Sequence, residues 1–170
     1  MPRTPGFHAR TCSGPTPGTY KNQGAGRTSV DAMSSRFDTK IVIVLRDDLA
    51  SWQRSNVVAF LASGIAATVP ELIGEPYADA DGTAYAPMFR QPVVVLEGDA
   101  ETVRGAHRRA VDRGLRVPVF TADLFATGGD EENRAAVAAV PRGELDLVGV
   151  AVHAPRNAAD KITKGARMSG

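Results

Sequence analysis

The feature that most constrains this chain is a pair of strongly apolar segments, one near residue 40 and one near residue 150. Residues 41–45, Ile-Val-Ile-Val-Leu, form a continuous run of β-branched and aliphatic side chains. Such a run is too short for a helix and is typical of a strand that is covered on both faces. Residues 145–153 have the same apolar character. The two segments therefore predict strands at the centre of a sheet that is enclosed by helices.

Length and charge narrow the class of protein. The 170 residues with a hydrophobic content of 43% suffice for one domain with a sizeable core, but not for two ordinary ones. Residues 1–33 carry four basic residues against Asp31, which leaves 16 basic and 18 acidic residues beyond them. The folded part is therefore not a basic domain of the kind that coats nucleic acid. The single cysteine, Cys12, excludes an intramolecular disulfide, and a reducing cytoplasm fits best.

The amino-terminal segment is rich in proline and glycine and almost free of clustered apolar residues. It cannot bury enough surface to offset the entropy of ordering, which predicts a disordered extension over residues 1–36 and a single α/β domain over residues 37–170. Its basic composition mildly resembles a transit peptide, but an amphipathic stripe is missing. In a further interpretation Met33 is the true initiator and the extension is an over-extended gene start.

Apolar runs and helical spacings alternate along the rest of the chain. The first helix begins near Ser51 and is interrupted at Pro70, so it is too short to span a membrane. Residues 76–87 carry the turn signal Asp81-Gly82 and suggest a small hairpin or excursion. Further strands are predicted at residues 92–96, 117–120 and 145–152, and further helices at 99–113, 130–140 and 156–164. This order predicts an α/β fold with a single mixed, mainly parallel four-stranded sheet and helices on both faces.

Three segments carry a resemblance to a known family. The first strand ends in Arg46-Asp47-Asp48-Leu49, residues 52–63 continue as Trp-Gln-Arg-Ser-Asn-Val-Val-Ala-Phe-Leu-Ala-Ser, and the closing strand leads into residues 160–168. With these segments, residues 39–168 resemble an uncharacterised bacterial family, domain of unknown function 2000, which shares the peptidyl-tRNA hydrolase II-like fold. The resemblance implies that fold for this chain.

The positions that carry the chemistry of the true hydrolases hold other residues here. Where those enzymes have a Gly-Lys pair, Ala-Ala-Gln and a nearby His-Ala, this chain has residues 54–56, Ala59-Phe60 and Ser63-Gly64. Their Asp-Ala-Gly-x-Thr signature is replaced by residues 121–127, in which only Asp123 resembles the acidic partner. The resemblance therefore implies the fold without the lysine and histidine of the hydrolases.

The candidate site follows from the topology of open α/β sheets, whose clefts lie at the carboxyl ends of the strands. Asp48, Trp52 and Asn56 follow the first strand. Asp123 and Thr127 follow the third, and they converge on the same rim if the two strands point the same way. We predict that the ligand-binding residues are Asp48, Trp52, Asn56, Ser63, Asp123 and Thr127, with Asp48 and Asp123 as the candidates for catalytic proton transfer.

Simpler structural roles compete with these assignments. Asp48 can cap a helix, and Asn56 can be a satisfied core amide. Trp52 suits a ligand wall or a subunit contact, but equally an anchor at the edge of the core. Ser63 lies between Ala62 and Gly64, where a small helix-packing residue is the favoured interpretation.

Other patterns indicate ordinary structure. Arg104 and Arg108, with neighbouring Arg109 and Arg113, form the best basic surface, although a solvated helix face is the favoured interpretation. The three histidines are scattered and predict neither a metal site nor a cofactor. The pair Gly128-Gly129 precedes three acidic residues, so a plain turn is favoured over an anion site.

Two functions of different class remain. The favoured one is a non-catalytic module that binds a small molecule or a peptide, with a homodimer as an open alternative. The other is a divergent hydrolase that acts on an ester or amide. A third interpretation, a partner-binding role through the small-residue helix at residues 55–67, is also kept. We expect a cytoplasmic protein without membrane association, and binding to nucleic acid is not expected.

Overall fold

The computed structural model describes residues 37–168, so the prediction of a disordered segment over residues 1–36 lies outside the described residues. The assignment of residues 37–170 to a single domain stays a prediction. In chain order the elements are β1 (Thr39–Arg46), α1 (Ser51–Thr68), β2 (Tyr77–Ala78), β3 (Ala84–Tyr85), β4 (Val93–Gly98), α2 (Ala100–Val111), β5 (Val119–Thr121), α3 (Asp130–Ala138), β6 (Leu147–Pro155), α4 (Arg156–Ile162) and β7 (Arg167–Met168). Two 3-10 turns, Pro70–Leu72 and Ala122–Phe125, follow α1 and β5.

The described strands form a five-stranded sheet in the order β5-β6-β1-β4-β7 and a separate two-stranded hairpin of β2 and β3. Among the strand pairs of residues 37–168, only β1 and β4 are parallel, with Ile43 opposite Val95. The pairs β1–β6, β4–β7 and β5–β6 are antiparallel. The prediction of a mixed α/β fold is confirmed, whereas the prediction of a mainly parallel sheet of four strands is wrong.

The direction of β6 explains why the sheet is not mainly parallel. A parallel crossover needs a helix that lies across the sheet and returns the chain to the opposite edge. The nine-residue α3 packs chiefly against the 3-10 turn Ala122–Phe125 and stays at the edge where β5 ends. The chain therefore enters β6 from that same edge and runs antiparallel to both neighbours, β1 and β5.

The fifth strand was missed because its sequence carries no strand signal. β7 consists of Arg167 and Met168, which pair with Glu97 and Leu96 of β4. Two exposed residues without apolar alternation are indistinguishable from a loop before the tertiary pairing is known. The predicted excursion over residues 76–87 is present as the hairpin β2–β3, in which Tyr77 lies opposite Tyr85.

Two buried clusters lie on opposite faces of the sheet. Ile41, Ile43 and Leu45 of β1 pack with α1, whereas Val42 and Val44 pack with α2 and α4. This division explains why β1 is apolar at every position from 41 to 45, since successive side chains of a strand point to opposite faces. The sheet thus separates two regions of the surface, one beside α1 and one beside α2.

Close packing of α1 depends on a small residue. A Cβ atom built on Gly64 would lie 2.5 Å from Cβ of Pro118, in the segment that leads into β5. Pro118 is rigid, so a larger side chain at position 64 would push the helix away from this segment. This contact holds α1 beside β5, which is the geometry that the candidate site requires.

Helix ends were predicted closely. Asp99 accepts a hydrogen bond from the backbone N–H of Thr102 at 2.8 Å, as expected of a cap, and Gly114 adopts a left-handed φ of 72°. The last helix ends at Ile162 and not at Lys164. Among the helices of residues 37–168, none combines the length and apolarity that crossing a bilayer requires.

Candidate ligand-binding cleft

The cleft forms where β1 and β5 end. These strands point the same way although β6 lies between them, because each is antiparallel to β6. Their carboxyl ends therefore meet at one edge, where the first half of α1 faces the segment that follows β5. The cleft between them has a volume of about 410 Å³. A volume of this size is in the range of pockets that hold small organic molecules.

One wall of the cleft is a continuous row of aromatic rings. Trp52 contacts Phe125 edge-on at a centroid distance of 5.6 Å, and Phe125 lies 5.0 Å from Phe120. Phe120 in turn contacts Phe60 edge-on at 5.5 Å. The inner ring of Phe120 is buried, but Trp52 is 63% and Phe60 50% exposed. The row therefore presents apolar surface to solvent at this edge of the sheet, as a ligand wall does.

Polar groups also line the cleft. The hydroxyl of Thr127 donates a hydrogen bond to the carbonyl oxygen of Leu124 at 2.9 Å and also contacts the side-chain amide of Asn133. Asn56 of α1 lines the cleft as well, and within residues 37–168 its side-chain amide has no hydrogen-bond partner. An amide in this state offers both a donor and an acceptor to a ligand.

The outer rim of the cleft is acidic and internally bonded. The backbone N–H of Gly128 donates to the carboxylate of Glu132 at 2.7 Å. Asp130 lies 3.0 Å from the guanidinium of Arg134 on the next turn of α3. The first turn of α3 thus supplies its own anions, which disfavours an external anion at this end of the helix. The interpretation of Gly128-Gly129 as a turn agrees with this arrangement.

Comparison with known proteins places the chain in a family. The family model of a protein of unknown function, DUF2000, matches residues 39–169. The chain belongs to the DUF2000 family. The predicted resemblance to this family is thereby confirmed, whereas the peptidyl-tRNA hydrolase II-like fold stays a prediction.

A solved structure extends the comparison. A protein of unknown function from Agrobacterium tumefaciens is 46% identical, with a TM-score of 0.77 over 79% of this chain and 99% of that chain. The comparison with curated proteins finds no match. The DUF2000 chain therefore has a bacterial structural neighbour.

Three of the predicted site residues line the cleft of this DUF2000 protein: Trp52, Asn56 and Thr127. Asp123 is exposed on the 3-10 turn after β5 and does not line the cleft. Ser63 is exposed on α1, where its hydroxyl donates to the carbonyl oxygen of Phe60 at 2.7 Å. The structure thus brings together residues from both predicted segments, but it leaves Asp123 and Ser63 outside.

Asp48 also lies outside the cleft, in a salt-bridge network at the same edge of the sheet. Arg46 donates to both Asp48 carboxylate oxygens, at 2.9 and 2.5 Å, and to Asp146 at 2.8 Å. The hydrogen bond from Arg46 holds the pKa of Asp48 below its ordinary value, and the same bond raises the pKa of Arg46. A carboxylate that is stabilised in its charged form is a poor general base.

Sequence reasoning missed most of the aromatic wall. Phe60, Phe120 and Phe125 carry no polar signature, and each was indistinguishable from a core residue. The local signal that could have identified Phe125 is its place in the short segment between β5 and Thr127. The remaining lining residues are Leu124, Gly128, Gly129, Asp130 and Asn133.

The two described histidines lie away from the cleft. Burial lowers the pKa of His107, and the nearby Arg142 lowers it further. Burial also lowers the pKa of His153, although Glu71 acts in the opposite direction. Within residues 37–168, no group of three or more histidine, cysteine or acidic side chains is arranged to hold a metal ion. The chemistry available in the cleft is that of aromatic rings, amides, a hydroxyl and the carboxylate of Asp130 at the rim.

Proposed function

We propose that this DUF2000 protein is a non-catalytic module that binds a small molecule with a flat apolar group in the aromatic cleft. The observation that carries the proposal is the side-chain amide of Asn56, which has no hydrogen-bond partner among the described residues and lines a cleft with two exposed aromatic rings. Because this amide has no protein partner, both its donor and its acceptor are available to a ligand. Trp52 and Phe60 supply the apolar contact that such a ligand needs.

The lining favours binding over hydrolysis. Cleavage of an ester or amide needs a group that takes a proton, together with a donor that stabilises the oxyanion. Among the described residues that line the cleft, Asp130 alone is ionisable, and it pairs with Arg134 at the outer rim. Asn56 can orient a ligand or a water molecule, but an amide cannot act as a base. The hydrolase alternative therefore gains no support from the cleft.

Charge at the rim indicates which ligands the cleft accepts. Asp130, Glu131 and Glu132 make up the first turn of α3, and all three also border a shallow depression beside the cleft. A cluster of carboxylates repels anions, and aromatic faces attract cations. The proposed ligand is thus a neutral or cationic small molecule, held by its flat group against Trp52 and by a polar group at Asn56.

The test uses Trp52 as its reporter, because it is the only tryptophan in the chain. Fluorescence is excited at the red edge of tryptophan absorption while benzamide, benzamidine and benzoate are titrated in turn at constant ionic strength. These probes share one ring and differ in charge. We expect saturable changes with benzamide and benzamidine and weaker binding of benzoate. Absence of saturation with all three probes, or tightest binding of benzoate, would refute the proposal.

Two variants locate the binding. Asn56→Ala should raise the dissociation constant of benzamide about three- to tenfold, the effect of one net hydrogen bond. Ser55→Ala is the matched control, since its exposed hydroxyl donates to the carbonyl oxygen of Ser51 and lies outside the cleft lining. Equal loss in both variants would point to a general effect on α1. Cytoplasmic location and a homodimer stay predictions.

A further inference from the structure

A second cavity lies on the other face of the sheet. It has a volume of about 180 Å³ and lies beside α2, where it is lined by Arg104, His107, Arg108, Arg142, Gly143 and Leu147. Leu147 belongs to the buried cluster of the α2 face, whereas Phe120 of the aromatic cleft belongs to the cluster of the α1 face. The two cavities are thus separated by the sheet and have opposite electrostatic character.

The lining concentrates positive charge on a small volume. Arg104 and Arg108 are one turn apart on α2, and Arg142 reaches the same cavity from the turn before β6. Arg104 is paired with Glu101 at the exposed side of the helix. Within residues 37–168, neither Arg108 nor Arg142 has an ion pair or a side-chain hydrogen bond. Two guanidinium groups at one cavity without carboxylate partners repel each other, and a bound anion relieves this repulsion.

A buried polar side chain is directed at the same volume. His107 is only 8% exposed and contributes to the lining of the cavity. Its ring has no hydrogen-bond partner among the described residues. A buried imidazole without a partner supplies an N–H donor to a ligand that enters beside it. The cavity thus combines three cationic side chains with one neutral donor.

The neighbouring arginines show that this cluster is compact. Arg109 turns away and donates to the carbonyl oxygens of Ile162 and Lys164, at 2.7 and 3.1 Å. Arg113 donates to the carbonyl oxygen of Arg109 at 2.6 Å. The basic surface predicted from the sequence is therefore not one continuous face. A nucleic acid backbone is bound by charges spread along a path, whereas one concentrated cluster suits a single dianion.

We propose that the cavity formed by Arg104, Arg108, Arg142 and His107 binds a phosphate group, either as inorganic phosphate or as the phosphomonoester of a small molecule. Guanidinium groups match the oxygens of a phosphate in geometry as well as in charge. A volume of about 180 Å³ accommodates one such tetrahedral group and several waters. This proposal is independent of the ligand in the aromatic cleft.

The test observes His107 directly. Imidazole signals of isotope-labelled full-length protein are followed by NMR at constant ionic strength while inorganic phosphate and methyl phosphate are titrated separately. We expect saturable shifts of the His107 signal and an increase of its pKa, because the added anion offsets the effect of Arg142. Equal or tighter binding of methyl phosphate would identify a phosphomonoester as the ligand, and binding of inorganic phosphate alone would identify the free ion.

Variants separate this site from general charge effects. Arg142→Gln and Arg108→Gln should each weaken binding about tenfold or more, the loss of a charge-assisted hydrogen bond. Glu101→Gln releases Arg104 and should tighten binding about two- to fivefold. Arg116→Gln is the matched control, because it removes an exposed positive charge outside the cavity lining. Circular dichroism and thermal unfolding check that each variant is folded.

Three outcomes would overturn the proposal. The first is the absence of a saturable His107 shift with both phosphate probes. The second is an equal response of wild type, Arg108→Gln and Arg142→Gln, which would mean that the anion binds elsewhere. The third is binding of tRNA at low salt by a protein that responds to neither phosphate probe, since this would assign the cluster to a polyanion.

Discussion

The guanidinium of Arg54 in α1 lies 2.5 Å from the carboxylate of Glu97 at the end of β4. Arg54 also donates to the carbonyl oxygens of Leu49 and Asp47, at 3.2 and 2.9 Å. Arg167 of β7 approaches the same carboxylate at 3.8 Å and pairs with Asp47 at 2.9 Å. The ion pair of Arg54 and Glu97 thus links α1 to β4, and its further contacts include the loop after β1 and the strand β7.

Replacing Glu97 should therefore destabilise the protein more than replacing a surface charge. Its side chain is only 13% exposed, and Glu97→Ala removes the carboxylate that pairs with Arg54 in a partly desolvated position. We expect a loss of about 1.5–3 kcal/mol in the free energy of unfolding, measured by urea denaturation. Arg134→Ala, which removes the exposed pair with Asp130, should cost less than about 0.5 kcal/mol. Equal effects of the two substitutions would contradict this account.

The packing of α1 on the sheet predicts a steric effect at Gly149 in β6. A Cβ atom there would lie 2.7 Å from Cγ1 of Val57 and 3.0 Å from Cδ1 of Leu61, both in α1. Gly149→Ala should lower the free energy of unfolding by about 1–3 kcal/mol, because the helix must shift to relieve the overlap. Gly143→Ala is the control, since a Cβ atom at that position would have no neighbour within 4 Å among the described residues. A neutral or stabilising Gly149→Ala would show that α1 can move outward at little cost.

Arg109 predicts a local effect on α4. Its guanidinium donates to carbonyl oxygens at the carboxyl end of this short helix, at Ile162 and beyond it at Lys164. Arg109→Ala should cost about 1–2 kcal/mol and expose α4 to opening, because a cation and two hydrogen bonds are lost at the negative end of the helix. Hydrogen exchange should increase first in residues 156–162. The neighbouring Arg108→Ala should leave this exchange unchanged, and a similar increase there would contradict the assigned role.

The histidines predict a loss of stability in weak acid. Burial lowers the folded-state pKa of His107 and His153, so the unfolded chain binds protons first as the pH falls through its value of 6.5. The stability that depends on these two neutral imidazoles is therefore fully present above pH 6.5. It decreases as the pH falls below this value and levels off once the folded pKa values are passed. Urea unfolding in phosphate-free buffers should show this decrease. The double variant His107→Asn, His153→Asn should flatten it, and stability that rises in this window would refute the explanation.

The carboxylates should cause a further loss of stability in a second, more acidic pH range. Asp48 has a pKa below its ordinary value because of the hydrogen bond from Arg46, and Asp99 has one because it accepts from Thr102. Their contribution to stability is present above the unfolded value of 3.8 and is lost as the pH falls through the lower folded values. Asp48→Asn should reduce the slope of stability against pH in this range without changing the slope near the histidine window. An unchanged slope in the carboxylate range would show that the pair with Arg46 is negligible in solution.

The candidate site was predictable in part. Trp52, Asn56 and Thr127 could be assigned to one rim because residues that follow strands of the same direction meet at one edge of a sheet. Asp123 follows the same strand as Thr127, yet it lies on the exposed side of a 3-10 turn whose phase the sequence does not encode. Phe125 lies two residues further and reaches Trp52, because that turn rotates it inward. Side-chain direction within irregular turns depends on contacts that form only after folding.

The sequence by itself determined the α/β class, the central strand at residues 41–45, the cap at Asp99 and membership of the DUF2000 family, because these depend on local residue patterns. Only the tertiary structure decided the reversed direction of β6, the pairing of Arg167 with Glu97, and the aromatic wall of the cleft. The physical reason is the range of the interactions. A helix such as α3 can cross a sheet or stay at its edge at similar local cost, and distant packing selects between the two.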